Sequence, residues 1–470
     1  MKKIFIVSYL LLTMFMCVSC AQEEAGVTDS NSLDQGTNAA VSSVCENHTY
    51  GDWVVTQKLT CESDEIQTRV CSACGTEETK TTAAIGYHSY DENNVCERCD
   101  LPFLDLGMEF SLMEGGNSYR ITNRRDCFGK IGIPEKYKGL PVVEIGARSL
   151  GMQQTITDVI IPPSVALIGE DAFSYSGGLK NVTILNGATV IEKKAFAFCE
   201  NLTSISLPES VDRIGEDAFF GCSALRAVTI PNGVHTIGAR AFSRCVGLET
   251  VIIADSVTAI GSEAFADCSN LSRVVLSENL ETIENGLFSH CKTLTEIKLP
   301  TNLLFIRSSA FLGCSQLVSV EIPEKVKEIS DFAFSSCSSL TTVALPNNLQ
   351  QIGAYAFQGC SDLEGVVLPS QIGKLSEGVF YQCSNLKEIV MAEGITDVGK
   401  NAFYGCSQLK KVVLPKSLRT IGDYAFSFCV NLQEIRFNGI PQEWLAVSKG
   451  IGWDENTGQY GMALLKPSAT

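Results

Sequence analysis

Between Phe173 and Leu432 the apolar residues return every 23 positions without insertion or deletion. Phe173, Phe196, Phe219, Phe242, Phe265, Phe288, Phe311, Phe334, Phe357, Phe380, Phe403 and Phe426 mark the period. A Cys stands three residues after the Phe from Cys199 to Cys429, eleven in all, and a Leu three residues after the Cys, from Leu202 to Leu432. Beyond that Leu, apolar and polar residues alternate, as in Ile205/Leu207, Val228/Ile230, Val320/Ile322 and Val412/Leu414. Alternation of this kind predicts a short strand with one face inward. Pro often comes next (Pro208, Pro231, Pro300, Pro323), and it ends the strand because it has no N–H for a ladder. A Val, Leu or Ile and then Ile-Gly, as in Ile214-Gly215 and Ile237-Gly238, carry the chain round to the next Ala-Phe. Leu150 fills the Phe slot one period earlier, with Ile145, Ile156, Val159 and Ile161 in register, so the pattern predicts thirteen units.

One unit of this size leaves its apolar residues on an open edge. Stacking removes the problem: each unit becomes one coil, equivalent slots align, and the Phe, Cys, Leu, Ile and Val columns merge into one continuous core. Parallel neighbours about 4.8 Å apart would give thirteen coils a sheet on the order of 60 Å long. The constant period follows, because an extra residue would have to bulge out of the stack.

The stretch "LTSISLPESVDRIGEDAFFGC", Leu202 to Cys222, fits the pattern L-x-x-L-x-L-P-x-x-V-x-x-I-G-x-x-A-F-x-x-C at every fixed slot. It resembles the leucine-rich repeats of BspA-like bacterial surface proteins, and the resemblance covers about residues 105 to 440. It implies a leucine-rich repeat solenoid of the α/β horseshoe-like class, mostly short parallel strands with turns and short helices. "IGIPEKYKGLPVVEIGARSL" resembles the family's lead into the first repeat, and "FNGIPQEWLAVSKGIGWDENTG" its closing segment. Both are expected to cap the solenoid ends, whose strand edges and apolar columns would otherwise be wet. "MEFSLMEGGNSYRIT" is expected to be a capping hairpin turned at Gly115-Gly116-Asn117. The domain plan is a signal peptide (1–19), a tether (20–44), a Cys/His-rich module (45–100), an N-terminal cap (101–145), the solenoid (145–437) and a C-terminal cap and tail (438–470).

Lys2 and Lys3 precede an apolar run from Ile4 to Met16, too short to span a bilayer and placed like a secretory signal. "CVSC", ending in Cys20, resembles the bacterial lipobox, although Cys17 stands where that motif usually has Leu. The resemblance implies cleavage before Cys20 and acylation of its thiol, hence a lipid anchor at the cell surface or the outer leaflet of the envelope. Ordinary secretion is the alternative. Residues 21 to 44, rich in small polar residues without periodicity, are expected to be a flexible tether.

Residues 45 to 99 carry Cys45, His48, Cys61, Cys71, Cys74, His88, Cys96 and Cys99. Two C-x-x-C pairs, "CSAC" and "CERC", each follow a His-x-Tyr, so one module is written twice. Each pair offers two thiolates from one turn, and a tetrahedral structural zinc needs two more ligands. Cys45 and His48 could complete Cys71 and Cys74, and Cys61 and His88 could complete Cys96 and Cys99. Disulfides, which suit an extracellular compartment, remain the alternative. The arrangement resembles small "H-x-Y…C…R-x-C-x-x-C-G" repeats of other bacterial surface proteins.

Composition narrows the function. The 470-residue chain is 45% hydrophobic and 19% charged, with a net charge of -17. That field repels phosphate backbones, so nucleic acid is not an expected partner, and a membrane is met only through the lipid anchor. His235 and His290 have no periodic Ser or carboxylate partner, and neither paired carboxylates nor a glycine-rich phosphate loop recurs. The chain is therefore expected to bind rather than catalyse, without a catalytic cofactor and as a monomer.

What varies is the outward side of the strand: Ile160, Thr183, Ser206, Thr229, Ile252, Val275, Lys298, Glu321, Ala344, Val367, Val390, Val413 and Arg436. The apolar members suit any sheet by strand propensity; clustered, they also suit a contact patch. Ile252, Val275, Lys298, Glu321, Val367, Val390 and Val413 are the candidate partner-binding residues. The family resemblance implies adhesion to a host matrix protein or to another cell. A structural envelope scaffold or glycan-binding spacer is the alternative. The eleven aligned Cys, odd in number and all in one interior slot, are expected to be buried thiols.

Overall fold

A computed structural model describes residues 48–57, 65–72, 75–82, 84, 86–98, 107–122 and 127–464. Contacts divide the chain into two units, Met1–Val54 with Thr68–Thr79, and Val55–Gln67 with Lys80–Thr470.

In the second unit the alternating segments form a parallel ladder on the 23-residue register. Val159 pairs with Val182 and Val182 with Ile205; Val366 pairs with Ile389, Ile389 with Val412 and Val412 with Ile435. Their inward residues are buried and the residues between them face out, as the period of two requires. Each coil also contributes a second, two-residue strand ending in the Ile of the Ile-Gly slot, which is Leu375 or Val398 in two coils. Arg213–Ile214 pairs with Thr236–Ile237, and Thr236–Ile237 with Ala259–Ile260. The sequence places a turn there, and the structure makes it a second parallel ladder. Coil packing at the turn explains the glycine: a Cβ on Gly215 would lie 2.7 Å from the carbonyl carbon of Glu192, and one on Gly238 would lie 2.5 Å from the Glu216 nitrogen.

The solenoid has about 15 turns rather than thirteen, because each cap contributes a coil. Gly129–Gly132 pairs with Ile156–Ile161 at one end, and Gly461–Leu464 with Glu434–Phe437 at the other. Phe110–Leu112 and Tyr119–Ile121 form the expected hairpin, and Gly115 and Gly116 take the left-handed backbone its turn needs. At the C-terminal end the Trp453 indole meets the Phe426 ring edge-on, with centroids 6.2 Å apart, and closes the aromatic file.

The twelve Phe side chains are fully buried. Neighbouring rings stack with centroids 5.0 to 5.8 Å apart and planes within 18°. Each ring contributes about 1.5–3 kcal/mol by leaving water. The Cys column lies beside it. Every ladder thiol donates to the carbonyl oxygen of the Phe one coil earlier, from Cys199 to Phe173 at 3.1 Å through Cys429 to Phe403 at 3.2 Å. The eleven thiols are free, as expected, and burial pushes them up: Cys199, Cys245, Cys314 and Cys429 to about 12.

The side opposite the long strands differs from the expected short helices. Among the described residues the one α-helix is Pro441–Ala446, in the C-terminal cap. Each coil here alternates its backbone donors instead. Asp171, Phe173 and Tyr175 donate to Lys193, Ala195 and Ala197 of the next coil, while Ala172, Ser174 and Ser176 close local turns onto Gly169, Asp171 and Phe173. Inter-coil bonding takes every second N–H, which an α-helix would keep to itself. The geometry places the residues two before and two after the Phe at positive φ, as in Asp171 (55°) and Tyr175 (59°).

Candidate functional site

The outward residues of the long-strand ladder lie where the alternation puts them. Ile252 pairs with Val275, Val367 with Val390, and Val390 with Val413, so the predicted apolar neighbours are cross-strand neighbours. Val367 is 76% exposed and Val390 39%, whereas Ile252 and Val413 are half-buried. Small neighbours explain the exposure of Val367. Gly365 occupies the same face two residues earlier and has no atom within 4 Å of its Cβ position, and Ala344 fills the equivalent slot of the preceding coil. Charged residues beside the valines neutralise each other between coils, Lys387 with Glu364 at 2.9 Å and Lys411 with Glu388 at 2.7 Å. The result is an apolar row with ion pairs along it, followed on the same stripe by the exposed Arg436, which pairs across the ladder with Val413.

Val275, Lys298 and Glu321 share a second feature. They line a groove of about 870 Å³ together with Arg273, Glu296 and Lys325. The long-strand ladder opens here: Arg273–Val275 pairs only with Thr250–Ile253, and Glu296–Ile297 only with Ser319–Glu321. Lys298 is held by Glu278 at 2.5 Å. The Lys298 hydrogen bond holds the Glu278 carboxyl below its ordinary value, with the Thr301 N–H adding to it. The alternating pattern gave no sign of this opening, since all thirteen strands carry the same apolar slots.

At the other end of the face, Ile160 lies under the second copy of the Cys/His module. A Cβ on Gly86 would collide with the Ile160 side chain. The Glu135 N–H donates to the His88 carbonyl at 2.7 Å, and Arg98 pairs with Glu135 and Lys136 with Glu97. His88 stacks on Tyr90 with centroids 5.3 Å apart, and Tyr90 bridges to Cys96 in antiparallel fashion. In the other unit, His48 stacks on Tyr50 at 5.5 Å and Tyr50 bridges to Cys71. The two copies therefore share their local geometry, and Cys71 and Cys96 are buried in each. Among the described residues no three His, Cys, Asp or Glu side chains converge as a metal site requires. Cys20, Cys45, Cys61, Cys74 and Cys99 lie outside the described residues.

The two remaining His lie in the solenoid, and His235 has a carboxylate partner in the same slot one coil earlier, contrary to the sequence expectation. His235 meets Asp212 through Nδ1 at 2.8 Å on an exposed surface, and His290 packs beside Gly313. Among the described residues no helix is long and apolar enough to cross a membrane.

Alternation of strand, turn and strand on a 23-residue period, with one long strand face, defines a leucine-rich repeat β-solenoid. Residues 143–272, 258–387 and 373–443 match the BspA-type leucine-rich repeat region, and the chain belongs to that family. It is similar to a crystal structure of a leucine-rich repeat protein from Bacteroides ovatus, 26% identical over 78% of this chain and 100% of that one, with a TM-score of 0.60. A leucine-rich cell surface protein from Faecalibacterium prausnitzii is 31% identical over 74% of this chain and 97% of that one, with a TM-score of 0.45. The pneumococcal vaccine antigen PcpA is 18% identical over 78% of this chain and 98% of that one, with a TM-score of 0.50. No curated protein matches the chain.

Proposed function

We propose that this chain is a non-enzymatic protein of a bacterial cell surface that binds a macromolecule, a host matrix protein or a component of another cell, through its open strand face. The observation that carries the reading is the Val367, Val390, Val413 row, apolar and most exposed at Val367, flanked by ion pairs between coils. Partner burial of such a row is favourable and needs no charge to be stripped of water uncompensated. Membership of the BspA-type family and similarity to a leucine-rich cell surface protein support the surface location. Acylation at Cys20 would supply the anchor, and adding a second acyl chain makes such anchoring stable.

The test replaces Val367, Val390 and Val413 together with Ser and measures binding to a panel of matrix proteins and to whole cells, with circular dichroism as the folding control. Unchanged binding by a folded triple variant rejects the surface.

A structural zinc in each Cys/His copy belongs to the same proposal. The matching His–Tyr and Tyr–Cys geometry of the two copies supports it. Cys45, His48, Cys71 and Cys74 would hold one ion, and Cys61, His88, Cys96 and Cys99 the other, cross-linking a stretch with few large apolar residues. Elemental analysis of the purified chain decides between zinc and disulfides.

A further inference from the structure

The corner between the long strand and the two-residue strand carries a second cleft, which shares only Lys325 with the groove at Val275 and Lys298. Leu303, Val326, Leu349 and Ile372 are fully buried at this corner, so the residues on either side of each point outward. Two columns result, Asn302–Lys325–Asn348–Gln371 and Leu304–Lys327–Gln350–Gly373, each stepping by 23 residues. Leu304, Lys325, Lys327, Asn348, Gln350 and Gln371 line a cleft of about 280 Å³. Gly373 leaves one end open, with no atom within 4 Å of its Cβ position.

Its chemistry is unlike the surrounding surface. The chain carries a net charge of -17, yet no carboxylate lines this cleft. Cations on nearby coils are bound in ion pairs: Lys298 with Glu278, Arg307 with Glu328, Lys387 with Glu364. Lys325 and Lys327 have no ion pair among the described residues, and the Lys325 ammonium donates to the Asn302 side-chain Oδ1 at 2.7 Å. Two ammonium groups two residues apart, with uncancelled charge, favour an anion. The other polar lining groups are three carboxamides, each able to donate and accept. Adjacent hydroxyls on a sugar ring need that mixture, whereas an acidic peptide side chain needs donors alone. Leu304 supplies an apolar wall for the ring's C–H edge. The volume sits near the low end of the roughly 300–1,000 Å³ of small-ligand sites, a fit for one sugar residue of a longer chain.

We propose that this cleft binds an anionic saccharide, with Lys325 and Lys327 on a carboxylate or sulfate and Asn348, Gln350 and Gln371 on the ring hydroxyls. Its residues are separate from the valine row, so the two readings can fail independently.

The experiment measures binding of the full mature chain to heparin, polygalacturonate, dextran and poly-L-glutamate by biolayer interferometry at two salt concentrations. One of the two anionic polysaccharides binds and neutral dextran does not; which one binds tells sulfate from carboxylate. Lys325→Ala/Lys327→Ala weakens that binding at least tenfold, and Gln350→Ala/Gln371→Ala severalfold. A control at a distant place, Lys180→Ala/Lys194→Ala, leaves it unchanged, as does the triple valine variant. Failure of both anionic polysaccharides to bind overturns the proposal. So does undiminished binding by the lysine variant, a control variant that loses as much, or tighter binding to poly-L-glutamate than to either polysaccharide.

Discussion

The Ser176 hydroxyl donates to the Leu150 carbonyl oxygen at 2.9 Å, and eleven thiols repeat that bond one coil after another. Ser176 stands in the Cys slot of its unit and Leu150 in the Phe slot, and both are buried. The slot thus selects a small side chain that can donate a hydrogen bond to the neighbouring coil. Cys meets that need while staying largely apolar.

Substitution in mid-stack separates the two demands. Cys314→Ala removes the bond to Phe288 and is expected to cost about 1–2 kcal/mol, whereas Cys314→Ser keeps the donor and costs less. Urea midpoints of the two variants give the order; equal midpoints would mean that the thiol acts only by filling space.

Alkaline pH is expected to unfold the protein cooperatively. Burial holds Cys199, Cys245, Cys314 and Cys429 protonated to about 12 against an ordinary value of 9.0, and it raises the other seven ladder thiols as well. Unfolded thiols ionise first, so the native state binds more protons in that window. Their contribution is complete below about pH 8.5 and is lost as pH rises, by about 1.4 kcal/mol per thiol per pH unit. A pH titration followed by circular dichroism should show the loss beginning near pH 9. At pH 8, maleimide should leave these eleven thiols unlabelled until denaturant is added.

Phe311→Ala removes one ring from the file between Phe288 and Phe334 and is expected to cost about 3–5 kcal/mol. Contacts in a solenoid run only between neighbours, so the weakened step should split one unfolding transition into two. Phe311→Leu, with Leu150 as a precedent in the same slot, should cost roughly 1–2 kcal/mol and keep a single transition. Calorimetry distinguishes the two outcomes.

Removal of residues 438–470 takes away the coil that pairs with Glu434–Phe437 and the Trp453 ring that closes the Phe file. The bared strand is a template for another chain. Size-exclusion chromatography of the truncated protein should show concentration-dependent association, and the intact chain should elute independently of concentration.

Much of this was legible in one sequence because each coil states the same constraints. Phe219, Cys222, Leu225 and Val228 occupy buried slots that every neighbour confirms. The second ladder was not legible, since a two-residue strand such as Arg213–Ile214 is too short to show alternation. Nor were the extra end coils: Gly129–Gly132 and Gly461–Leu464 complete the ladders without the Phe and Cys that mark a unit. The lack of helix opposite the long strands, among the described residues, is hidden in the sequence for a different reason. Positive φ is commonly signalled by Gly, and here Asp171, Phe198 and Arg240 adopt it, held by bonds to the next coil at a cost of about 1 kcal/mol or more each. In the candidate site, the apolar row followed from alternation, while the groove at Val275 and Lys298 depends on a local failure of pairing that the repeat itself conceals.

The uninterrupted spacing from Phe173 to Phe426 also makes the molecule a ruler. Gain or loss of one whole 23-residue unit would leave the flanking coils in the same register. The length of the stack would then change in steps of about 4.8 Å while both ends stay sealed.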